Sequence, residues 1–230
     1  MSAQHLYGMY IDFGGFNMDV TTYTMILVTK LWGLSWAYAD GAKIQKDLTP
    51  DQNQRKVVHF PTILEYLAFV YYCCGCMCAP FIEFSDFKNW IELSGHYKTL
   101  PRGPGGVPKT IVPLLKRVLA GIMCLAFHLG VSVGLGIVTS TVGKPDFAQI
   151  GSMWYKIYYY FIAMTGQRFI YYVPWCFTDA ANIAAGLSYR GSVVRKDGQE
   201  EHEWKQINCV FVYDLETSKS ASELTKYWNH

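Results

Sequence analysis

The chain has 230 residues, of which 51% are hydrophobic and 17% are charged. This composition is more apolar than that of ordinary soluble domains, and a net charge of +2 is too small to indicate binding to nucleic acid. Because the basic residues also form no stripe interleaved with aromatic residues, we exclude a nucleic-acid partner. The apolar residues are gathered in segments of membrane length, which predicts an integral membrane protein.

Four segments are predicted to cross the bilayer: Val20–Ala39, Phe60–Phe84, Val118–Val138 and Tyr155–Phe177. The third is the strongest, because it contains no Asp, Glu, Lys or Arg and reaches about 31 Å as a helix, the thickness of a hydrocarbon core. A fifth stretch, Ala180–Leu187, is too short to cross alone and is expected to prolong a broken helix or to be re-entrant. We therefore predict an all-α polytopic membrane protein with about four transmembrane helices, short or re-entrant helices and polar loops. Residues 1–230 are expected to form a single membrane-embedded region.

Away from the first and last two positions of each segment, three charged residues lie inside these predicted spans: Lys30, Glu65 and Arg168. Ionised groups at such depth rarely face lipid, so they are predicted to point into a helix bundle or a wet cavity. The alternative is that they snorkel to the membrane interface, which is favoured for Glu65 near the end of its segment. His128 is central in the strongest span, where a neutral histidine bonded between helices is more typical than a catalytic one.

Small residues in the apolar segments predict close packing rather than chemistry. Three glycines of the strongest span are expected to form small faces where helices approach each other: Gly130, Gly134 and Gly136. A cysteine cluster lies in the second apolar segment, with no histidine or second cysteine pair at zinc spacing: Cys73, Cys74, Cys76 and Cys78. We predict that these thiols pack between helices and that the chain binds no metal.

The polar loop after the second predicted span reads Pro80-Phe81-Ile82-Glu83-Phe84-Ser85-Asp86-Phe87-Lys88-Asn89-Trp90. This order resembles the Pro-x-x-Glu-Phe-x-Asp-Tyr-x-x-Trp string of the membrane-bound O-acyltransferase family, in its lysophospholipid acyltransferase branch. Further stretches resemble the same family in the same order along the chain: Gly14–Asp19, Met25–Leu31, Tyr38–Gly41, Tyr171-Tyr172, Trp175, Ala184–Gly191, Trp204, Asn208–Val210, Glu216 and Trp228-Asn229. Together they extend over nearly the whole chain.

The resemblance implies transfer of a fatty acyl group from acyl-CoA to the free hydroxyl of a lysophospholipid, with acyl-CoA as co-substrate and no other cofactor. It also implies residence in a membrane, expected to be that of the endoplasmic reticulum. Asn229 matches the polar catalytic residue of the family, which works with a histidine some tens of residues further on. The sequence does not indicate which residues bind the two substrates.

The segment expected to carry that histidine is not among the 230 residues, and His230 does not take its position. The chain thus looks like a fragment that lacks N-terminal spans and the histidine-bearing segment, and we expect little or no acyl transfer by this polypeptide alone. An alternative stays open, a noncatalytic membrane protein that binds lipid or an acyltransferase partner. A transporter or channel is disfavoured, because no pair of broken helices occupies corresponding halves of the chain.

Overall fold

The computed structural model of this protein describes residues 2–11, 20–72, 81–196 and 198–228. These residues are mostly helical, as predicted. The helices are α1 (Ser2–Ile11), α2 (Val20–Gly41), α3 (Pro50–Arg55), α4 (Ile63–Val70), α5 (Phe84–Glu92), α6 (Ile111–Leu129), α7 (Thr139–Val142), α8 (Pro145–Gln149), α9 (Met153–Ala184), α10 (Val212–Glu216) and α11 (Ala221–Tyr227). The chain divides into two compact units, residues 1–106 with 186–207 and residues 107–185 with 208–230. The expectation of one region over residues 1–230 stays a prediction.

The first unit contains a small β-hairpin that the all-α prediction missed. Strand β1 (Gly191–Val194) pairs antiparallel with strand β2 (Glu200–Glu203), so that Gly191 lies opposite Glu203. Gly198, at φ +80°, adopts in the connection a left-handed conformation that suits glycine. Each strand has only four residues, Gly-Ser-Val-Val in β1 and Glu-Glu-His-Glu in β2, so neither carries the apolar alternation that would have revealed it.

The core of the first unit is aromatic. Phe69 of α4 packs edge-to-face on Phe84 of α5 with ring centroids 5.3 Å apart. Tyr97, Leu187 and Tyr189 are buried in the same cluster. The helices and loops of this unit are thereby joined around one apolar centre.

The second predicted span, Phe60–Phe84, is not one continuous helix, and that prediction is wrong. Helix α4 begins behind the capping residue Thr62 and ends at Val70, which gives eight residues or about 12 Å. This is too short to cross a bilayer. The next described helix, α5, starts only at Phe84, and residues 73–80, including the cysteine cluster, lie outside the described part.

In the second unit, α6 packs against α9 where glycine allows close approach. A Cβ atom on Gly121 would lie 3.2 Å from Cβ of Cys176, and one on Gly166 would lie 2.8 Å from Cγ1 of Val131. The glycines predicted for this role do not have it: apart from the adjoining backbone, no atom of the described residues lies within 4 Å of a Cβ built on Gly130, Gly134 or Gly136. These glycines lie instead where α6 loosens into a π-helical turn, Gly130–Gly134, and ends.

Among the described residues, one helical stretch, Ile111–Val142, is long and apolar enough to cross a membrane, so the expected number of about four spans is not confirmed there. Only 17% of its most apolar window is buried by protein, which is the exposure expected of a helix that faces lipid. Helix α9 has 32 residues and a length of about 48 Å, but it carries Lys156, Arg168 and Asp179. It also includes residues 180–184, so the predicted fifth stretch does prolong a helix.

Candidate active site

The candidate catalytic residue Asn229 and its neighbour His230 lie outside the described residues, whereas Trp228, directly before them, is described. Trp228 forms an isolated antiparallel bridge with Val210. Its indole packs edge-to-face on Trp175 of α9, with ring centroids 4.9 Å apart, and its centroid lies 6.4 Å from that of Tyr172. The chain that enters the matched Trp-Asn motif is therefore seated on the aromatic face of α9.

A buried ion pair holds the start of this segment. The carboxylate of Asp179 is fully buried and accepts hydrogen bonds from Nε of Arg117, at 3.0 Å, and from its Nη2. The other carboxylate oxygen accepts the backbone N–H of Cys209 at 2.8 Å, and Arg117 Nη2 also donates to the carbonyl of Val210 at 2.7 Å. One arginine–aspartate pair thus links α6, α9 and residues 209–210, and it satisfies backbone groups that burial would otherwise leave unpaired.

A second polar cluster fixes α10 to α9. Nε and Nη2 of Arg168 donate to the two carboxylate oxygens of Glu216 at 2.9 and 2.8 Å, and the hydroxyl of Tyr172 donates to Glu216 at 2.6 Å. A bidentate pair of this kind fixes orientation as well as distance. The prediction that Arg168 points toward protein is confirmed, and its partner is a residue that the family resemblance had singled out.

His128 forms the interhelical hydrogen bond that the sequence predicted. Its Nδ1 lies 2.8 Å from the carbonyl oxygen of Gly166 on α9, and because a carbonyl only accepts, Nδ1 carries the proton in this contact. The ring borders a cavity of about 30 Å³ shared with Ser132 and Gln167. This space is large enough for water but not for a lipid or acyl-CoA. The geometry therefore supports a structural role for His128.

Lys30 also points inward, as predicted. It is only 2% exposed, and its Nζ donates to the carbonyl oxygens of Phe69 and Val70 at 3.2 and 3.1 Å. These carbonyls belong to the last turn of α4, where backbone carbonyls have no N–H donor within the helix. The lysine stabilises the end of that helix, and an ammonium group suits the negative pole of a helix dipole.

Glu65 lies in the first turn of α4, and its snorkelling to the membrane interface stays a prediction. Its carboxylate accepts the backbone N–H of Thr62 at 2.8 Å, while the Thr62 hydroxyl accepts the N–H of Glu65, which together form a capping box. Glu65 also lies 3.3 Å from the ammonium of Lys88. Its role in the structure is to begin α4.

The motif residues of the first unit mix packing with polar contacts. Phe84 and Phe87 are buried in the core. Glu83 pairs with Arg55 at 3.2 Å, and the carboxylate of Asp86 accepts a hydrogen bond from Nε2 of Gln206 at 3.0 Å. In the Ala184–Gly191 element, Leu187 accepts a hydrogen bond from the buried Tyr97 hydroxyl at 2.7 Å. Most of these motif positions therefore build the fold.

Sequence reasoning missed Arg117 and Asp179. Both lie just outside the predicted spans, so neither was counted as an intramembrane charge, although an aspartate that follows an aromatic apolar segment was a usable signal. In the described ranges, no group of three His, Cys, Asp or Glu residues is arranged to hold a metal. The expectation that the chain binds no metal stays a prediction.

Comparison with known proteins gives this geometry its context. Residues 6–230 match the membrane-bound O-acyltransferase family. The chain is 26% identical over 228 residues to the lysophospholipid acyltransferase of Saccharomyces cerevisiae, covering 92% of the chain and 36% of that protein. It is 27% identical over 236 residues to lysophospholipid acyltransferase 6 of Drosophila melanogaster, covering 98% of the chain and 32% of the relative.

A third relative is the membrane-bound glycerophospholipid O-acyltransferase 2 of Mus musculus, which is 26% identical over 238 residues, with coverage of 100% of the chain and 45% of that protein. The chain thus spans between a third and a half of the length of these relatives. Because the family match extends over nearly all of the sequence, the chain belongs to the membrane-bound O-acyltransferase family.

Proposed function

We propose that this chain takes part in transfer of a fatty acyl group from acyl-CoA to the free hydroxyl of a lysophospholipid, at the membrane of the endoplasmic reticulum. The observation that carries the proposal is the family match over residues 6–230. The relatives named as lysophospholipid acyltransferases favour this substrate class among the reactions of an acyltransferase family. The partners would then be acyl-CoA, lysophospholipid and the surrounding membrane lipid.

The chemistry explains what the matched asparagine would do. An alcohol near neutral pH is a poor nucleophile, so a histidine base must take its proton as the oxygen attacks the thioester carbonyl. The side-chain amide of Asn229 would orient that base or the alcohol, or donate to the oxyanion that develops on the carbonyl oxygen. The new ester bond forms as the carbon–sulfur bond breaks, and CoA leaves as a thiol after it receives the proton.

The contacts around Trp228 support this assignment through positioning. Cys209 is tied to α9 by Asp179, Val210 is tied to α6 by Arg117, and Val210 in turn bridges to Trp228. A catalytic side chain must be held within a fraction of an ångström of its working position, which requires a rigid support of this kind. Trp228, directly before the matched asparagine in sequence, has contacts of this kind.

The test is acyl transfer in membranes from cells that lack their own lysophospholipid acyltransferases and express the natural gene product. Labelled oleoyl-CoA and a panel of lysophospholipids are supplied, and labelled phospholipid is measured. We expect Asn229→Ala to lower turnover about 100-fold or more, the range for loss of one oxyanion donor. Asn53→Ala, the same chemical change on α3, should retain activity. Equal turnover in wild type and Asn229→Ala would contradict the catalytic assignment.

The 230-residue polypeptide is assayed in parallel, and we expect it to give little or no product. Robust turnover that disappears with Asn229→Ala would overturn that expectation. Complete inactivity of the natural gene product, with lipid or an acyltransferase retained on purification, would favour the noncatalytic alternative.

A further inference from the structure

The first unit contains a pocket of about 360 Å³ that has no role in the proposed chemistry. Its volume falls within the range of small-molecule sites, but its lining is unusual because every lining side chain is polar or charged. The charged and ionisable lining residues are Asp51 and Arg55 of α3, Asp86 of α5, His96 and Arg190, and Gln206 also lines the pocket. A ligand for this pocket must be polar throughout.

The charges in the lining are balanced between the two signs. The guanidinium groups of Arg55 and Arg190 oppose the carboxylates of Asp51 and Asp86. Arg55 already pairs with Glu83 at 3.2 Å. No carboxylate of the described residues lies within ion-pair distance of Arg190, so this guanidinium is available to a ligand. A purely anionic ligand would meet two carboxylates as well, whereas a ligand with both charges would match the lining.

His96 provides a second and independent sign of a missing partner. Its Nε2 atom is buried and has no hydrogen-bond partner among the residues that the structure describes. A buried polar atom left unpaired costs free energy that a ligand group would recover. Burial lowers the pKa of His96, and the charge of Arg190 lowers it further, while Asp86 and a backbone contact to Tyr189 act in the opposite direction. A bound anion would favour the protonated ring, in which Nε2 is a donor.

The surrounding backbone holds these side chains in place. The N–H of Arg190 donates to the carbonyl of Glu203 at 2.9 Å, and the Tyr189 hydroxyl donates to the carbonyl of Thr99 at 3.0 Å. The carboxylate of Asp86 accepts Nε2 of Gln206 at 3.0 Å, which fixes its orientation. The pocket is therefore preformed, and preformed sites lose less entropy on binding.

We propose that this pocket binds a small zwitterionic phosphodiester, with its phosphate against Arg190 and His96 and its ammonium against Asp86 and Asp51. Arginine is well suited to phosphate because its planar guanidinium can donate two parallel hydrogen bonds. The inference goes beyond acyl transfer and does not depend on it, since binding to this pocket needs no acyl-CoA. The ligand is either the head of a membrane lipid or a free glycerophosphodiester.

Binding is measured on the 230-residue chain in a nonionic detergent, with glycerophosphoethanolamine as the probe and ³¹P NMR line broadening as the readout. Inorganic phosphate and ethanolamine are titrated separately. We expect saturable binding of the zwitterion, at least tenfold tighter than binding of either half. Displacement by lysophosphatidylethanolamine micelles assigns a lipid-borne ligand, and lack of displacement assigns the soluble one.

One arginine variant and one aspartate variant decide whether this pocket is the site. Arg190→Ala should raise the Kd for glycerophosphoethanolamine at least tenfold, and Asp86→Asn should weaken the zwitterion more than it weakens inorganic phosphate. Arg195→Ala is the matched control, because Arg195 lies just after β1 and pairs with Glu201 outside the pocket. The thermal midpoint of each variant shows that the unit remains folded. Absence of saturable binding, equal losses in Arg190→Ala and Arg195→Ala, or equal affinity for inorganic phosphate would overturn the proposal.

Discussion

The substitution Asp179→Asn tests the buried ion pair that anchors residues 209–210. Asparagine keeps the volume of the side chain and one acceptor oxygen for the N–H of Cys209, but it removes the charge that Arg117 faces. Removing one partner of a buried pair costs about 3–5 kcal/mol, because the other charge is left uncompensated. The side chain of Arg117 is 18% exposed, so partial hydration places the expected loss near the lower end, at about 3 kcal/mol.

The loss is measured by equilibrium unfolding in mixed detergent micelles and by the thermal midpoint. For a chain of this size, about 3 kcal/mol corresponds to a fall of about 6–12 °C. The matched control is Glu216→Gln, which makes the same carboxylate-to-amide change in the bidentate pair with Arg168. Because the side chains of Arg168 and Glu216 are 41% and 26% exposed, solvent screening should limit its cost to about 1 kcal/mol. Equal losses in the two variants would refute the argument that burial sets the magnitude.

Three further outcomes are expected. Gly166→Ala should destabilise the chain by about 1–2 kcal/mol, because the added Cβ would lie 2.8 Å from Cγ1 of Val131. Gly130→Ala should be neutral or stabilising in the same unfolding assay, because Gly130 has a helical φ of −58° and no described side chain would contact its Cβ. Lys30→Met should leave the carbonyls of Phe69 and Val70 without this donor and speed hydrogen exchange of the α4 amides. Lys43→Met, which removes a lysine that pairs with Asp40 and has no contact with these carbonyls, should not. Burial lowers the pKa of His96 below its ordinary value of 6.5, so as pH falls the unfolded state binds a proton at higher pH than the folded state does. The contribution of neutral His96 to folding stability is therefore fully present above pH 6.5 and is lost as pH falls through the folded-state pKa. The difference in unfolding free energy between wild type and His96→Gln should therefore shrink with acid, and a constant difference from about pH 5 to 8 would exclude this linkage.

The strongest predictions from sequence were those based on long local patterns. The apolar run before Val138 and the aromatic run from Tyr155 both correspond to helices. The expectation that Lys30 and Arg168 contact protein groups followed from the cost of exposing charge to lipid. The Phe60–Phe84 span failed because apolar composition alone does not reveal a helix end. That end is marked by Lys30, which lies 39 residues earlier in the chain and donates to the last turn of α4.

The amino-acid sequence by itself determined the membrane class, the mainly helical structure and the ordered motifs that indicated the acyltransferase family, because each depends on composition or on neighbours along the chain. Only the tertiary structure decided which polar groups meet. Arg117 and Asp179 are 62 residues apart, and Asp86 and Gln206 are 120 apart, so no local pattern connects them. The contacts that hold Trp228 and the charged pocket of the first unit form because folding brings distant side chains together. Burial then makes each polar atom without a hydrogen-bond partner costly in free energy.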